Sequence, residues 1–212
     1  MLTISVAGMW HLGSVTAACL ASVGHTVIGI DEDPSVVAAL AKARPPVAEA
    51  GLAEMTARQM AAGRLSFSTR FEDSSRSDVV WVAYDTPVDE NDVANIEFVH
   101  SRALRLLDHM KDGAILVVSS QIPVGSVARL ERDFAHRAGG RHIGFACAPE
   151  NLRLGKAIEV FLQPDRVVLG VRDQVAQAAL QAVYGPYTDR IEWMSVESAE
   201  MTKHAINSFL AT

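Results

Sequence analysis

The order of elements in the first 31 residues constrains this chain more than any other feature. An apolar β-like run at 2–7 leads into Gly8, a helical stretch of small residues at 12–23 overlaps Gly13, and a second β-like run at 26–30 ends at Asp31. A strand, a glycine turn, a helix, a strand and then an acid is the arrangement that binds dinucleotides. The helix N-terminus offers N–H groups and partial positive charge to a pyrophosphate. A carboxylate at the strand end accepts hydrogen bonds from ribose hydroxyls and repels a 2′-phosphate, so the sequence predicts NAD rather than NADP.

The glycine turn departs from the usual G-x-G-x-x-G pattern at one position. Trp10 stands where a glycine normally lets the backbone approach the pyrophosphate. One hypothesis is that the indole pushes the cofactor outward or closes the phosphate site. The other is that the loop still binds NAD, and the predicted cofactor-binding residues of this part of the chain are then Gly8, Trp10, His11, Leu12, Gly13 and Asp31.

Short β-like runs alternate with helical stretches along the rest of the chain, which is typical of a parallel sheet covered by helices. The fold class predicted is therefore α/β, a Rossmann-like, doubly wound and mostly parallel sheet. The apolar run at 79–84 is expected in its centre, since both of its faces look buried. Further strands are predicted at 65–68, 78–84, 114–118, 142–147, 166–170 and 191–194, and helices from Pro34 and at 95–109, 126–137, 174–184 and 196–212.

Composition and charge exclude several classes of protein. Nineteen Lys and Arg against 25 Asp and Glu give a net charge of −6, the wrong sign for a general nucleic-acid binder. The longest apolar run is far shorter than the ~20 residues that span a bilayer, and the first basic residue is Lys42, so we expect a cytoplasmic protein without a membrane segment or a secretory signal. Cys19 and Cys147 lie in apolar runs and are predicted to be buried thiols. The seven His are scattered, and no metal site is predicted.

Clusters of chemically capable residues follow the predicted strands, at the edge where open α/β sheets bind ligands. They are Thr86-Pro87, Ser120-Gln121-Ile122-Pro123-Val124-Gly125-Ser126, Pro149-Glu150-Asn151-Leu152-Arg153-Leu154-Gly155-Lys156-Ala157 and Pro164-Asp165-Arg166, followed by Glu200, Lys203 and Asn207 on one helix face. In this order and spacing they resemble the N-terminal domain of the UDP-glucose/GDP-mannose dehydrogenase family, over essentially the whole chain. The loop from Pro46 to Leu52 is similar to that family's substrate-side loop.

The resemblance implies an NAD-dependent oxidoreductase that oxidises the primary alcohol of a nucleotide-sugar to a uronic acid, in the service of polysaccharide biosynthesis. It implies that 1–195 is the NAD-binding domain and that 196–212 begins the helix joining it to a second domain. The family's enzymes are usually homodimers, and their nucleophilic cysteine lies after that helix. We therefore expect a chain that is cut within the connecting helix and inactive alone.

The resemblance also implies roles for individual residues. Thr86 would lie beside the cofactor, and Ser120 and Pro123 beside its nicotinamide end. Glu150 would serve the water steps of the second oxidation, Lys203 would stabilise an oxyanion, and Asn207 would hydrogen-bond the reacting group. Three positions depart from the family pattern. Trp10 replaces the middle glycine, Gln121 replaces a threonine, and Leu154 replaces a glutamate found in many members.

Plainer interpretations and rival functions stay open at the level of sequence. A Lys and an Asn four residues apart are usually a solvated helix face, and Glu150 could be a simple cap or ion-pair partner. The chain could also be a β-hydroxyacid dehydrogenase-like enzyme, which pairs a similar domain with a Lys and an Asn at this spacing. A non-catalytic nucleotide-binding module with a closed cofactor cleft is the third possibility.

Overall fold

The computed structural model describes residues 1–150 and 152–210, without the side chains of Asn207 and Leu210. Its described part contains one eight-stranded sheet with the order β3-β2-β1-β4-β5-β6-β7-β8. All neighbouring strands are parallel except β6 and β7. The strands are β1 (Thr3–Ala7), β2 (Thr26–Ile30), β3 (Leu65–Ser68), β4 (Val79–Val82), β5 (Ile115–Val118), β6 (Gly144–Cys147), β7 (Val167–Val171) and β8 (Ile191–Met194).

Helices cover both faces of this sheet, and the strand order 3-2-1-4-5-6 is that of a doubly wound dinucleotide-binding fold. The predicted fold class is confirmed. The helices are α1 (His11–Ser22), α2 (Pro34–Leu40), α3 (Leu52–Ala61), α4 (Ile96–His109), α5 (Ser126–Ala135), α6 (Ala157–Leu162), α7 (Gln174–Tyr184) and α8 (Val196–Leu210), with a 3-10 helix at Phe71–Arg76.

The sheet separates two hydrophobic cores. One lies between the sheet and helices α1, α3, α6 and α7, and the other between the sheet and helices α4, α5 and α8. All four residues of β4 are buried, which confirms the predicted central strand. In α1, nine consecutive residues from Gly13 to Ala21 are buried, because their mostly small side chains let this helix pack closely on the sheet.

Three short helical segments were not predicted: α3, α6 and the 3-10 helix. The buried positions of α3 are Leu52, Met55, Thr56 and Gln59, so its spacing was readable, but two of these residues are polar. Helix α6 has only six residues, too few for a periodic pattern. The antiparallel direction of β7 means that the chain between β6 and β7 starts and ends at the same edge of the sheet, where the motifs at 149–166 remain.

Cys19 and Cys147 are buried free thiols, as predicted. Among the described residues, no helix combines the length and apolar character needed to cross a membrane. The same residues contain no group of three or more His, Cys, Asp or Glu placed to hold a metal ion.

Candidate active site

The segments that follow β1, β4, β5 and β6 meet at the carboxyl edge of the sheet, as parallel strands require. Together with α8 they line a cavity of about 400 Å³, bounded by His11, Thr86, Gln121, Glu150 and Lys203 among others. A second cavity of about 530 Å³ extends from the glycine loop to the end of β2. Tyr84 and Asp85 border both cavities, so the two lie side by side along the sheet edge.

Both glycines of the loop after β1 are required by close contacts. Gly8 has a φ of 92°, and a Cβ there would lie 2.7 Å from the Tyr84 ring. A Cβ on Gly13 would lie 1.9 Å from the carbonyl oxygen of Gly8. The first glycine therefore makes the turn and the second lets α1 begin directly against it, as the sequence predicts.

The backbone conformation at position 10 does not require a glycine. The φ of −80° and ψ of −150° of Trp10 are open to any residue, and its side chain is 52% exposed at the rim of the second cavity. As the residue preceding α1, Trp10 supplies no side-chain hydrogen bond to the first turn, and no acidic residue lies in that turn. The N–H groups at the start of α1 can therefore bind an external anion. His11 and Leu12 line the first cavity beside them.

Asp31 joins the end of β2 to the glycine loop. One carboxylate oxygen accepts a hydrogen bond from the Met9 N–H at 2.7 Å, and the other from the Asp33 N–H at 3.0 Å. The carboxylate lines the second cavity, where a ribose bound at the strand end would meet it.

The next residue, Glu32, adds a feature that sequence reasoning missed. Its carboxylate lies 2.7 Å from Nε of Arg102 and also pairs with Arg105. The Arg102 guanidinium stacks 3.6 Å from the centre of the Phe98 ring. Arg102 lines the second cavity, but its guanidinium is already held by the Glu32 carboxylate and the Phe98 ring. Little positive charge therefore remains there for a 2′-phosphate.

The residues predicted at the nicotinamide end lie on the loops after β4 and β5. The Thr86 hydroxyl donates to the backbone oxygen of Gln121 at 2.6 Å and so ties the two loops together. The Ser120 hydroxyl is buried and has no hydrogen-bond partner among the described residues. Pro123 is exposed, borders neither cavity, and its carbonyl accepts hydrogen bonds from the first residue of α5, Ser126.

Glu150 and Lys203 lie on the same cavity, although 53 positions separate them in the sequence. Desolvation raises the pKa of Glu150 from 4.5 to about 7, and the charge of Lys203 opposes this shift. Desolvation also lowers the pKa of Lys203, and Glu150 opposes that shift in turn. A carboxyl group with a pKa near 7 can both accept and donate a proton at neutral pH. The side chain of Asn207, the third predicted catalytic residue, lies outside the described part of α8.

Behind this pair lies a third cavity of about 620 Å³, bordered by both Glu150 and Lys203. Tyr184 and Tyr187 face it with buried hydroxyls that have no hydrogen-bond partner among the described residues. No sequence motif pointed to these tyrosines, since isolated tyrosines at the end of a helix and just after it carry no functional signal.

Glu200 lies on α8 three residues before Lys203, but it holds a neighbouring helix in place, whereas Lys203 borders the first cavity. Its buried carboxylate accepts hydrogen bonds from the N–H groups of Gly125 at 2.7 Å and Val127 at 2.9 Å. It therefore caps the start of α5 and holds α8 against the loop after β5.

The two cysteines are not activated nucleophiles. Burial raises the pKa of the Cys147 thiol to about 12, and it raises the pKa of the Cys19 thiol further, so neither thiol ionises near neutral pH.

The fold, the glycine turn with its acid at the end of β2, and the cleft at the carboxyl edge define a dinucleotide-binding α/β domain. The model of the UDP-glucose/GDP-mannose dehydrogenase family, NAD binding domain, matches residues 2–188. The chain belongs to this family, and its cofactor is NAD. Family membership decides against the β-hydroxyacid dehydrogenase alternative.

Named relatives agree with this assignment. The UDP-glucose 6-dehydrogenase YwqF of Bacillus subtilis is 34% identical over 213 residues, which cover 100% of this chain and 48% of that protein. A UDP-glucose dehydrogenase structure from Pyrobaculum islandicum has a TM-score of 0.94 at 35% identity, covering 100% of this chain and 50% of that one. A ternary complex of GDP-mannose dehydrogenase from Pseudomonas aeruginosa has a TM-score of 0.91 at 27% identity, covering 98% and 50%. This chain spans about half the length of these relatives.

Proposed function

We propose that this domain works in a UDP-glucose 6-dehydrogenase, which oxidises the primary alcohol of the sugar to a uronic acid with NAD. The observation that carries the proposal is the placement of Glu150 and Lys203 on the cavity that begins at the glycine loop. The identity with a UDP-glucose 6-dehydrogenase over the full length of this chain favours UDP-glucose among nucleotide-sugars.

The residues present fit NAD. The close contacts of Gly8 with Tyr84 and of Gly13 with Gly8 let α1 begin directly at the end of β1, and the uncapped first turn of α1 can hold the pyrophosphate. Trp10, His11 and Leu12 would border it, and Asp31 would accept hydrogen bonds from the ribose. Thr86, Ser120 and Pro123 are proposed for the nicotinamide end.

When bound, NAD supplies the hydride acceptor for each oxidation. Lys203 would hold an ammonium beside the oxygen of the reacting group and stabilise negative charge as it develops. Glu150, with its raised pKa, would take the proton of a water molecule or return it. Asn207 follows Lys203 by one helical turn, the spacing at which two side chains share a helix face and can reach the same group.

The experiment is NADH production with UDP-glucose, GDP-mannose and UDP-N-acetylmannosamine, using the protein that carries this domain. Lys203→Ala should lower kcat by about 10²–10³-fold, the cost of removing one oxyanion donor. Asp173→Asn alters a helix cap at the opposite edge of the sheet and serves as a matched control. Unchanged kcat in Lys203→Ala would refute the proposed role, and turnover of GDP-mannose alone would refute the proposed substrate.

The remaining properties follow from the family resemblance and are proposals as well. The protein would bind a nucleotide-sugar, form a homodimer and act in the cytoplasm, in polysaccharide biosynthesis. Light scattering of the purified protein tests the dimer, and a monomeric mass would refute it.

A further inference from the structure

Glu49 is a buried carboxylate in the segment between α2 and α3, and it contacts two distant parts of the chain. Its oxygens accept hydrogen bonds from the backbone N–H groups of Gly155 at 2.8 Å and Ala157 at 3.0 Å. One of them also lies 3.1 Å from Nε2 of His11. The side chain is only 1% exposed, so these three partners replace its hydration.

The contacts with Gly155 and Ala157 alone would make Glu49 a helix cap. Glu200 does the same for α5, with two backbone N–H groups and a buried carboxylate. What distinguishes Glu49 is its third partner, the first residue of α1. Burial of Glu49 disfavours its ionised form, but the hydrogen bonds of Gly155, His11 and Ala157 outweigh this and lower the pKa of Glu49.

The two ends of this bridge lie at functionally different places. His11 belongs to the glycine loop that binds NAD, and its side chain borders the first cavity. Gly155 and Ala157 belong to the segment that runs from Glu150 into α6. Glu49 is thus one buried side chain that contacts both the start of α1 and this segment, beside the direct packing of α1 on α6.

We propose that Glu49 is a positioning residue that couples the NAD-binding loop to the segment 152–157, so that NAD binding at α1 orders this segment. The coupling itself requires only that this domain binds NAD. Its consequence for the reaction rests on the function proposed above for Glu150.

Amide hydrogen exchange tests the coupling directly, because the Gly155 and Ala157 N–H groups are themselves the donors to Glu49. Exchange is followed by NMR on the 212-residue chain, with and without saturating NAD, and the Kd for NAD is measured by calorimetry on the same samples. NAD should slow exchange of these two amides by about 5-fold or more in the wild type, the lower end of typical couplings between sites.

Three variants separate coupling from simple capping. His11→Ala should abolish the slowing at saturating NAD while both amides stay protected by Glu49. His11→Gln keeps an N–H donor that can reach Glu49 and should restore part of the slowing. Asp173→Asn, a cap whose carboxylate accepts from Ala176 far from the cleft, should retain all of it.

Slowing that persists in His11→Ala, or NAD binding without slowing in the wild type, would overturn the proposal. Absence of NAD binding by the wild-type chain would instead overturn the cofactor role of the domain, and the coupling with it. The calorimetric Kd distinguishes these two failures.

Discussion

The raised pKa of Glu150 predicts a specific dependence of stability on pH. The group has an ordinary pKa of 4.5, which applies to the unfolded chain, and about 7 in the folded domain. The folded state therefore binds this proton more tightly. The stabilisation is fully present below pH 4.5 and is lost as the pH rises through 7. At about 1.4 kcal/mol for each pKa unit, the loss amounts to about 3 kcal/mol.

Glu150→Gln removes the titration and keeps the size and polarity of the side chain. The free energy of unfolding, measured by urea denaturation from pH 4.5 to 8.5, should fall with pH in the wild type relative to this variant. Other titrating groups are common to both proteins, so the difference between the two curves isolates Glu150. The free energy of unfolding of the variant minus that of the wild type should therefore rise by about 3 kcal/mol between pH 4.5 and pH values above 8.

Glu54→Gln is the matched control, since Glu54 is exposed on α3. The difference in free energy of unfolding between Glu54→Gln and the wild type should lack the rise of about 3 kcal/mol with pH that is expected for Glu150→Gln. A second check uses Lys203→Met, which removes the charge that opposes the shift and should move the loss of stability to higher pH. A constant difference between Glu150→Gln and the wild type across this range would show that the carboxyl group ionises normally.

Further predictions concern the cofactor loop and catalysis. Asp31→Asn should weaken NAD binding by ~1–3 kcal/mol in calorimetry, and the wild type should prefer NAD to NADP; equal binding of the two cofactors would contradict the role of Asp31. Trp10→Gly should tighten NAD binding, because the indole pushes the cofactor outward; unchanged or weaker binding would show that the ring is a contact or a core residue and not an obstruction. Gly13→Ala should cost about 3 kcal/mol or more in the free energy of unfolding, measured in urea, because its Cβ meets a backbone oxygen at 1.9 Å; full stability would show that α1 can shift. The 212-residue chain should sustain no double oxidation of nucleotide-sugars to uronic acids, because the covalent step needs a thiolate and burial keeps the Cys147 thiol protonated; steady NADH formation abolished by Cys147→Ser would refute this.

Several elements follow from local pattern alone. The strand at Thr26–Ile30, the helix at Gln174–Tyr184 and the strand at Ile191–Met194 have the predicted bounds, because alternation, periodicity and turn residues are local properties of the sequence. Pro34 begins α2 for the same kind of reason, since its missing N–H costs nothing in a first turn. Other boundaries moved by one or two residues, at helix ends such as Ser126–Ala135 for 126–137 and at strand ends such as Val79–Val82 for 78–84, where the apolar run continues beyond the ladder.

The cofactor half of the site was more readable from sequence than the catalytic half. Gly8, Gly13 and Asp31 lie within 31 residues, and each role follows from backbone geometry close to it. Glu150 and Lys203 carry no such signal, since only the resemblance to the family assigned them a function. That they share a cavity depends on how α8 packs beside β6 and β7.

The sequence by itself determined the α/β class, the glycine turn, the acid after β2 and the order of the motifs along the sheet edge. Tertiary structure alone decided that β7 runs antiparallel, that Trp10 leaves its indole half exposed, that desolvation raises the pKa of Glu150, and that Glu49 joins His11 to Gly155. The physical reason is that backbone preferences act only over a few neighbouring residues along the chain. Burial and hydrogen-bond partnership across a hundred residues exist only once the two cores have packed.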